Sequence, residues 1–173
     1  MLFSLAVRPG IGCLEGRSEE GLKIDFIDIR RAYFHSPARR TVFVKLPAED
    51  YEPGMCGMLT QSMYGTRDAA QNWECQYAKF MESSGFKRGD AVPCVFYNAN
   101  RNIRVTVHGD DFTALGSEKD LNWFRECISS QFECKFRGRI GPGQNDEKSI
   151  RLLNRVFEWT EAGIMMEADQ RHA

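Results

Sequence analysis

Between Asn102 and Val107 polar and β-branched residues alternate, which places Ile103, Val105 and Val107 on one face of a strand. Gly109 supplies the backbone freedom of a tight reversal, and Phe112, Ala114 and Leu115 begin a second apolar run. The pattern predicts a hairpin with Asp110 and Asp111 at its tip. Far upstream, residues 22–29 alternate in the same way, with Ile24, Phe26 and Asp28 on one side and Asp25, Ile27 and Ile29 on the other. A second strand is expected there, carrying a third acid near its end.

The remaining pattern fills in around these two stretches. Residues 2–7 resemble the tail of a helix broken by Pro9 and Gly10, and residues 15–21 are polar and loop-like. Residues 41–46 predict a strand stopped by Pro47, followed by an acidic loop over 48–57. Asp68 is placed to cap a helix whose apolar face runs Trp73, Tyr77, Phe80 and Met81, with Gly85 ending it in a left-handed conformation. Residues 95–97 form a short strand and 98–102 a turn. Ser117 and Asp120 resemble a capping box ahead of Leu121, Phe124 and Ile128, in a helix ending near Ser130. Residues 132–136 give a further strand, 138–145 a flexible loop, and 150–159 with 163–167 a closing hairpin around Thr160, Glu161 and Ala162.

With the 37–61 insertion set aside, the order from Ile24 is strand, helix, strand, strand, helix, strand. That is an α+β arrangement of the ferredoxin-like, split βαβ kind, in which the first strand lies beside the central hairpin. Asp28 and Asp110 are then expected to meet. No activity follows from this plan, because many unrelated chemistries use it.

Composition narrows the classes. A chain of 173 residues, 42% hydrophobic and 27% charged, has room for one domain with a real core, and wholesale disorder is excluded. The six cysteines show no Cys-x-x-Cys pair and no zinc-ligand spacing with histidine, so reduced thiols are expected. The first seven residues are too short for a signal sequence, and no run approaches the roughly 18 apolar residues of a membrane span. A soluble intracellular protein, cytoplasmic or nuclear and not secreted, is the expectation.

The net charge of −1 excludes a uniformly basic nucleic-acid binder but hides a gradient. Lys23, Arg30, Arg31, Arg39, Arg40 and Lys45 face only Asp25 and Asp28 within one segment. Basic side chains beside acidic ones suit a polyanionic substrate, since phosphate contacts supply most sequence-independent affinity; a solvated charged face is the alternative. Gly-Asp-Asp is likewise an ordinary solvated turn unless a third acid joins it. Asp28, Asp110 and Asp111, from neighbouring strand ends, form a set able to hold two divalent cations about 3.5–4 Å apart, as in-line phosphoryl transfer requires.

Three blocks carry a resemblance to a known family. Asp28-Ile29-Arg30-Arg31-Ala32-Tyr33-Phe34, the run from Ser62-Met63-Tyr64-Gly65 to Asn72-Trp73, and His108-Gly109-Asp110-Asp111 resemble, in order and spacing, the blocks of the copia-type retrotransposon reverse transcriptase domain. The likeness extends over essentially the whole chain. It implies an RNA-directed DNA polymerase palm over residues 23–137 with a fingers-like insertion around 37–61, partial fingers over 1–22, and a loop with a closing hairpin over 138–173. It further implies that Asp28, Asp110 and Asp111 are catalytic ligands of two Mg²⁺ ions, with Mn²⁺ as an alternative. Tyr33 takes the position of the aromatic gate that excludes a ribose 2′-hydroxyl, with a packed core aromatic as the other reading. Tyr64, Gly65 and Arg67 fall against the incoming nucleotide, and Arg30, Arg31, Arg39, Arg40 and His108 against template and primer. Lys135 is similar to the lysine following the palm, or is an ordinary surface lysine. The implied partners are an RNA or DNA template with its primer, deoxynucleoside triphosphates and the rest of a retrotransposon polyprotein, with no membrane.

Three positions depart from the family pattern. His108 replaces a tyrosine, Gly109 an apolar residue, and Ala69-Ala70 an Ala-Pro pair. Gly109 loosens the hairpin at an entropic cost of about 1 kcal/mol. The resemblance implies that thumb, connection and RNase H regions lie outside this sequence. Two readings from different classes follow: a metal-dependent nucleotidyltransferase, or a catalytically inactive retrotransposon fragment acting at most as a nucleic-acid or protein binding module. Another two-metal palm enzyme, such as a nucleotide cyclase, would have no use for the second block or the basic segment.

Overall fold

A computed structural model describes residues 1–12, 21–152 and 155–167. The loop expected over 15–21 lies almost wholly outside them. The chain is of mixed α+β class. Its helices are α1 (Leu2–Ala6), α2 (Ala69–Ser83) and α3 (Glu118–Gln131). Its strands are β1 (Lys23–Ile29), β2 (Phe43–Val44), β3 (Gly57–Met58), β4 (Lys87–Arg88), β5 (Val95–Asn98), β6 (Ile103–His108), β7 (Asp111–Gly116), β8 (Cys134–Ile140), β9 (Ser149–Leu152), β10 (Arg155–Thr160) and β11 (Gly163–Met166).

Six strands form one sheet in the order β4-β5-β6-β7-β1-β8, every neighbouring pair antiparallel. β1 is an inner strand with packed elements over both faces, which explains its nearly continuous burial where an exposed sheet face would give clean alternation. Its residues divide between two cores. Ile27 and Ile29 join Trp73, Met81, Phe112 and Phe124 under α2 and α3. Ile24 and Phe26 join Leu2, Leu115, Ile140 and Phe157 on the opposite face, beneath α1 and a separate three-stranded sheet, β11-β10-β9. The division predicted from the alternation in residues 22–29 is the one observed.

Asp25 lies on the helical face, wholly buried. Arg125 of α3 donates to both its carboxylate oxygens at 2.7 and 3.0 Å, and Arg139 of β8 also makes a two-pronged contact. A buried carboxylate is stable only when its charge and lone pairs are matched, and this clamp ties α3, β1 and β8 together.

Several elements differ from the sequence expectation for identifiable reasons. Asp68 is the residue before α2 but makes no side-chain cap; its carboxylate is held instead by Arg40 at 2.9 Å and Asn72 at 3.2 Å. The strand expected over 41–46 is reduced to Phe43 and Val44, paired only with Gly57 and Met58, so short apolar alternation did not secure a long partner. β8 runs through Gly138 to Ile140, where a loop was expected from 138. The glycine is tolerated because the register between β1 and β8 shifts at Phe26/Ile27: Phe26 pairs with Gly138 and Ile27 with Phe136, leaving Arg137 as the extra residue of a β-bulge. A Cβ at Gly138 would sit 2.7 Å from the Glu147 carboxylate and 3.2 Å from Ile150. The closing hairpin is three-stranded, because residues 150–159 divide into β9 and β10, which pair with each other. The turn at Thr160 falls as expected, its hydroxyl donating to the Gly163 carbonyl at 2.9 Å. Ser117 caps α3 as expected, accepting from the Asp120 amide.

Removing one member of a buried ion cluster leaves the others uncompensated, so Asp25→Ala is expected to destabilise the fold by about 3 kcal/mol or more, read from urea unfolding. A loss below about 1 kcal/mol would show that the two arginines are adequately solvated without it.

Candidate active site

The hairpin between β6 and β7 closes with two residues. His108 pairs with Asp111, and Gly109, at φ +64°, takes the first central position while Asp110 takes the second. A glycine with positive φ at that first position is the signature of a type II′ reversal, whose twist suits antiparallel strands. Asp110 is exposed at the tip, whereas Asp111 is the first residue of β7 and partly buried, so only one of the two acids sits at the bend itself.

Neighbouring elements fix the tip. The Trp73 indole N–H donates to the Gly109 carbonyl at 2.8 Å, and the Ile29 amide donates to the Asp110 carbonyl at 2.9 Å. One bond comes from α2, in the second sequence block, and the other from the strand carrying Asp28. The three blocks that lie apart in sequence are thus joined through the backbone of one turn.

Pairing of β1 with β7 sets Asp28 directly across from Asp111. Their charges are met by Arg137, which hydrogen-bonds Asp28 and stands 3.5 Å from Asp111 Oδ1. That distance is an ion pair without a hydrogen bond, and Asp111 Oδ1 is buried with no hydrogen-bond donor. Burial pushes the Asp111 carboxyl above the usual carboxylate range; Arg137 opposes the shift, while Asp110 and Asp28 add to it. Among the described residues no three Asp, Glu, His or Cys side chains are gathered closely enough to hold a metal ion. Asp28 and Asp111 nevertheless fit a cation, since they are opposed, one of their oxygens lacks a donor, and a guanidinium already lies against both.

Tyr33 and Tyr64 meet, with ring centroids 4.4 Å apart and planes tilted by 32°, and Phe34 meets Tyr64 edge-on at 5.7 Å. Tyr64 and Phe34 remain exposed while Tyr33 is half-buried. Gly65 has φ +87° with open space where a side chain would be, and Arg67 is exposed. The basic segment is less free than its composition suggests. Arg30 and Arg31 both contact Glu133, at 3.1 and 2.8 Å, and Arg40 holds the Asp68 carboxyl down at about 2. Arg39 and His108 are exposed and make no ion pair among the described residues. A cavity of about 670 Å³ between α1 and the β10–β11 turn, lined by Ala6, Pro142 and Trp159 among others, contains none of these residues.

The sequence argument missed Arg137, the Asp25 clamp and the anchoring role of Trp73. The alternation of Lys135, Arg137 and Arg139 with Phe136 and Gly138 was a legible strand signal, but a bulge has no signature beyond its glycine.

The profile of the family described as reverse transcriptase (RNA-dependent DNA polymerase) matches residues 15–142. The chain belongs to that family. The resemblance drawn from the three blocks is thereby borne out. A curated relative, the Retrovirus-related Pol polyprotein from transposon TNT 1-94 of Nicotiana tabacum, is 25% identical over 131 residues. The match covers 71% of this chain and 10% of the relative, so the chain spans about a tenth of that polyprotein's length. No helix among the described residues is long and apolar enough to cross a membrane.

The raised carboxyl of Asp111 has a consequence for stability. A folded-state pKa above the unfolded one means the native chain binds the extra proton, so this group's unfavourable contribution is present at neutral pH and relieved as pH falls through the raised value. Asp111→Asn is accordingly expected to raise the metal-free melting temperature at pH 7, with the gain vanishing below about pH 4, near the unfolded pKa of aspartate. Parallel melting curves of the two chains across pH would reveal an absent or reversed gain.

Proposed function

We propose that this chain is the nucleotide-addition core of an RNA-directed DNA polymerase, joining deoxynucleotides to a primer 3′-hydroxyl on an RNA or DNA template. The observation that carries the reading is the placement of Asp28 opposite Asp111, with Asp110 on the adjoining II′ turn. The strand order β8-β1-β7-β6, with α2 and α3 against one face, supports the split βαβ palm. Within it, residues 1–22 are partial fingers, 23–137 the palm with an insertion around 37–61, and 138–173 the loop and closing sheet.

Asp28 and Asp111 would hold the metal ions, with Asp110, exposed on the adjoining turn, joining them once a cation draws the acids together. Two bound Mg²⁺ or Mn²⁺ ions supply Lewis-acid activation of the attacking hydroxyl and neutralisation of charge on the departing pyrophosphate. The chain supplies position. Bonds from Trp73 and Ile29 keep the acid-bearing turn rigid, so the carboxylates need not be ordered at the moment of reaction. The Tyr33 ring, supported by Tyr64, excludes a ribose 2′-hydroxyl, and Gly65 and Arg67 leave an open, cationic approach for the triphosphate. Arg39, Arg40, Arg30 and Arg31 attract template and primer phosphates, the last three only after exchanging an intramolecular acid for a phosphate. His108, exposed across the hairpin from Asp111, lies beside the primer end. The partners beyond nucleic acid and nucleotide are the other parts of a transposon polyprotein.

Primer extension on an RNA template with Mg²⁺ is expected from the wild-type chain and to fall by roughly 100- to 1000-fold in Asp110→Asn, with melting changed by less than about 1 kcal/mol. Equal extension by both chains would remove Asp110 from the site. Binding without extension by either would support the second reading, a folded piece that engages nucleic acid but does not polymerise. Tyr33→Ala is expected to improve ribonucleotide incorporation relative to deoxynucleotide by roughly tenfold or more; an equal loss on both sugars would make Tyr33 a packing residue.

A further inference from the structure

β8 carries two arginines, two residues apart, that serve carboxylates on opposite faces of β1. Regular alternation would put Arg137 and Arg139 on one face. The bulge breaks that alternation: Arg137 is the unpaired extra residue, and beyond it Arg139 turns to Asp25 under the helices while Arg137 reaches Asp28 on the other face. Bulges of this kind re-aim side chains and recur next to active sites.

The two arginines satisfy their partners differently. Arg139 grips both oxygens of Asp25, as expected of a structural ion pair. Arg137 hydrogen-bonds only Asp28 and leaves Asp111 Oδ1 buried without a donor. Its side chain is 36% exposed, against 13% for Arg139, so solvent lies open to it. Lys135, paired with Asp28 across the strands, makes no ion pair among the described residues and does not share the task.

We propose that Arg137 is an internal counter-ion that occupies the cation position of the Asp28–Asp111 pair in the metal-free chain and must swing away before a divalent ion is held there. The inference rests on the metal-site reading above. A guanidinium hydrogen-bonded to Asp28 Oδ1 and an ion needing carboxylate oxygens within about 2.0–2.6 Å compete for the same lone pairs, and their like charges repel. In its inward position Arg137 keeps two opposed carboxylates from forcing the strand ends apart. Its cost is affinity, because a metal ion meets a competent site only in the fraction of molecules whose arginine is out.

The test is Mn²⁺ binding, followed by electron paramagnetic resonance, together with melting curves with and without Mg²⁺, on the full chain and on Arg137→Gln. The variant is expected to bind Mn²⁺ roughly tenfold more tightly, to melt lower than wild type without metal, and to recover most of that loss when Mg²⁺ is added. Unchanged Mn²⁺ affinity, with a melting loss that Mg²⁺ does not repair, would overturn the proposal and leave Arg137 a structural residue. Asp111→Asn separates the two layers of the argument: if it binds Mn²⁺ as well as wild type, the metal-site reading itself fails. Should Arg137→Gln not fold, Arg137→Met removes the charge while keeping an unbranched apolar stem, and its Mn²⁺ affinity decides by the same criterion.

Discussion

Two carboxylates are brought face to face at the end of the central strands by backbone pairing. β1 and β7 are adjacent in the sheet, and their register leaves Asp28 facing Asp111. Carboxylates on paired residues of neighbouring strands repel one another, and the partial burial of Asp111 strengthens that repulsion. A cation between them offsets that repulsion, and Arg137, the extra residue of the β8 bulge, is the cation that lies against both.

The surroundings are correspondingly stiff. The acid-bearing turn is bonded from α2 through Trp73 and from β1 through Ile29, and β1 is clamped again at Asp25 by arginines from α3 and β8. Charge is handled in two ways on one strand. Asp25 is buried and fully matched, so it contributes to the structure and is closed to exchange. Asp28 is partly exposed and matched by a single movable side chain, so its counter-ion can be replaced. The difference in burial, rather than in residue type, separates the structural acid from the candidate ligand.

The same economy applies to the basic segment. Its composition implies a surplus of positive charge for nucleic acid, yet Arg30, Arg31 and Arg40 are already paired within the chain. Exposed pairs of this sort are weak, about 0–1 kcal/mol each, and a phosphate can displace the carboxylate. Arg39 and His108 are exposed and make no ion pair among the described residues, so neither has an intramolecular acid to give up.

Sequence alone determined a good deal. Alternation in residues 22–29 and 102–115 fixed two strands, the faces of β1 and the hairpin presenting the acids, because a period of two leaves few alternatives once one face is buried. Spacing of Trp73, Tyr77 and Met81 fixed α2, and the order of three blocks pointed to the reverse transcriptase family. Tertiary structure decided what depends on partners distant in the chain. Asp25 and Asp28 are three residues apart and chemically identical, and only the elements packed on opposite faces of β1 make one a buried clamp and the other a candidate ligand. Arg137 and Arg139 are assigned to those two acids by a one-residue register shift, which arises from how β8 pairs with β1 and leaves no periodic trace in either strand. Local patterns determine local elements, while the identity of a charge's partner is a property of the assembled sheet.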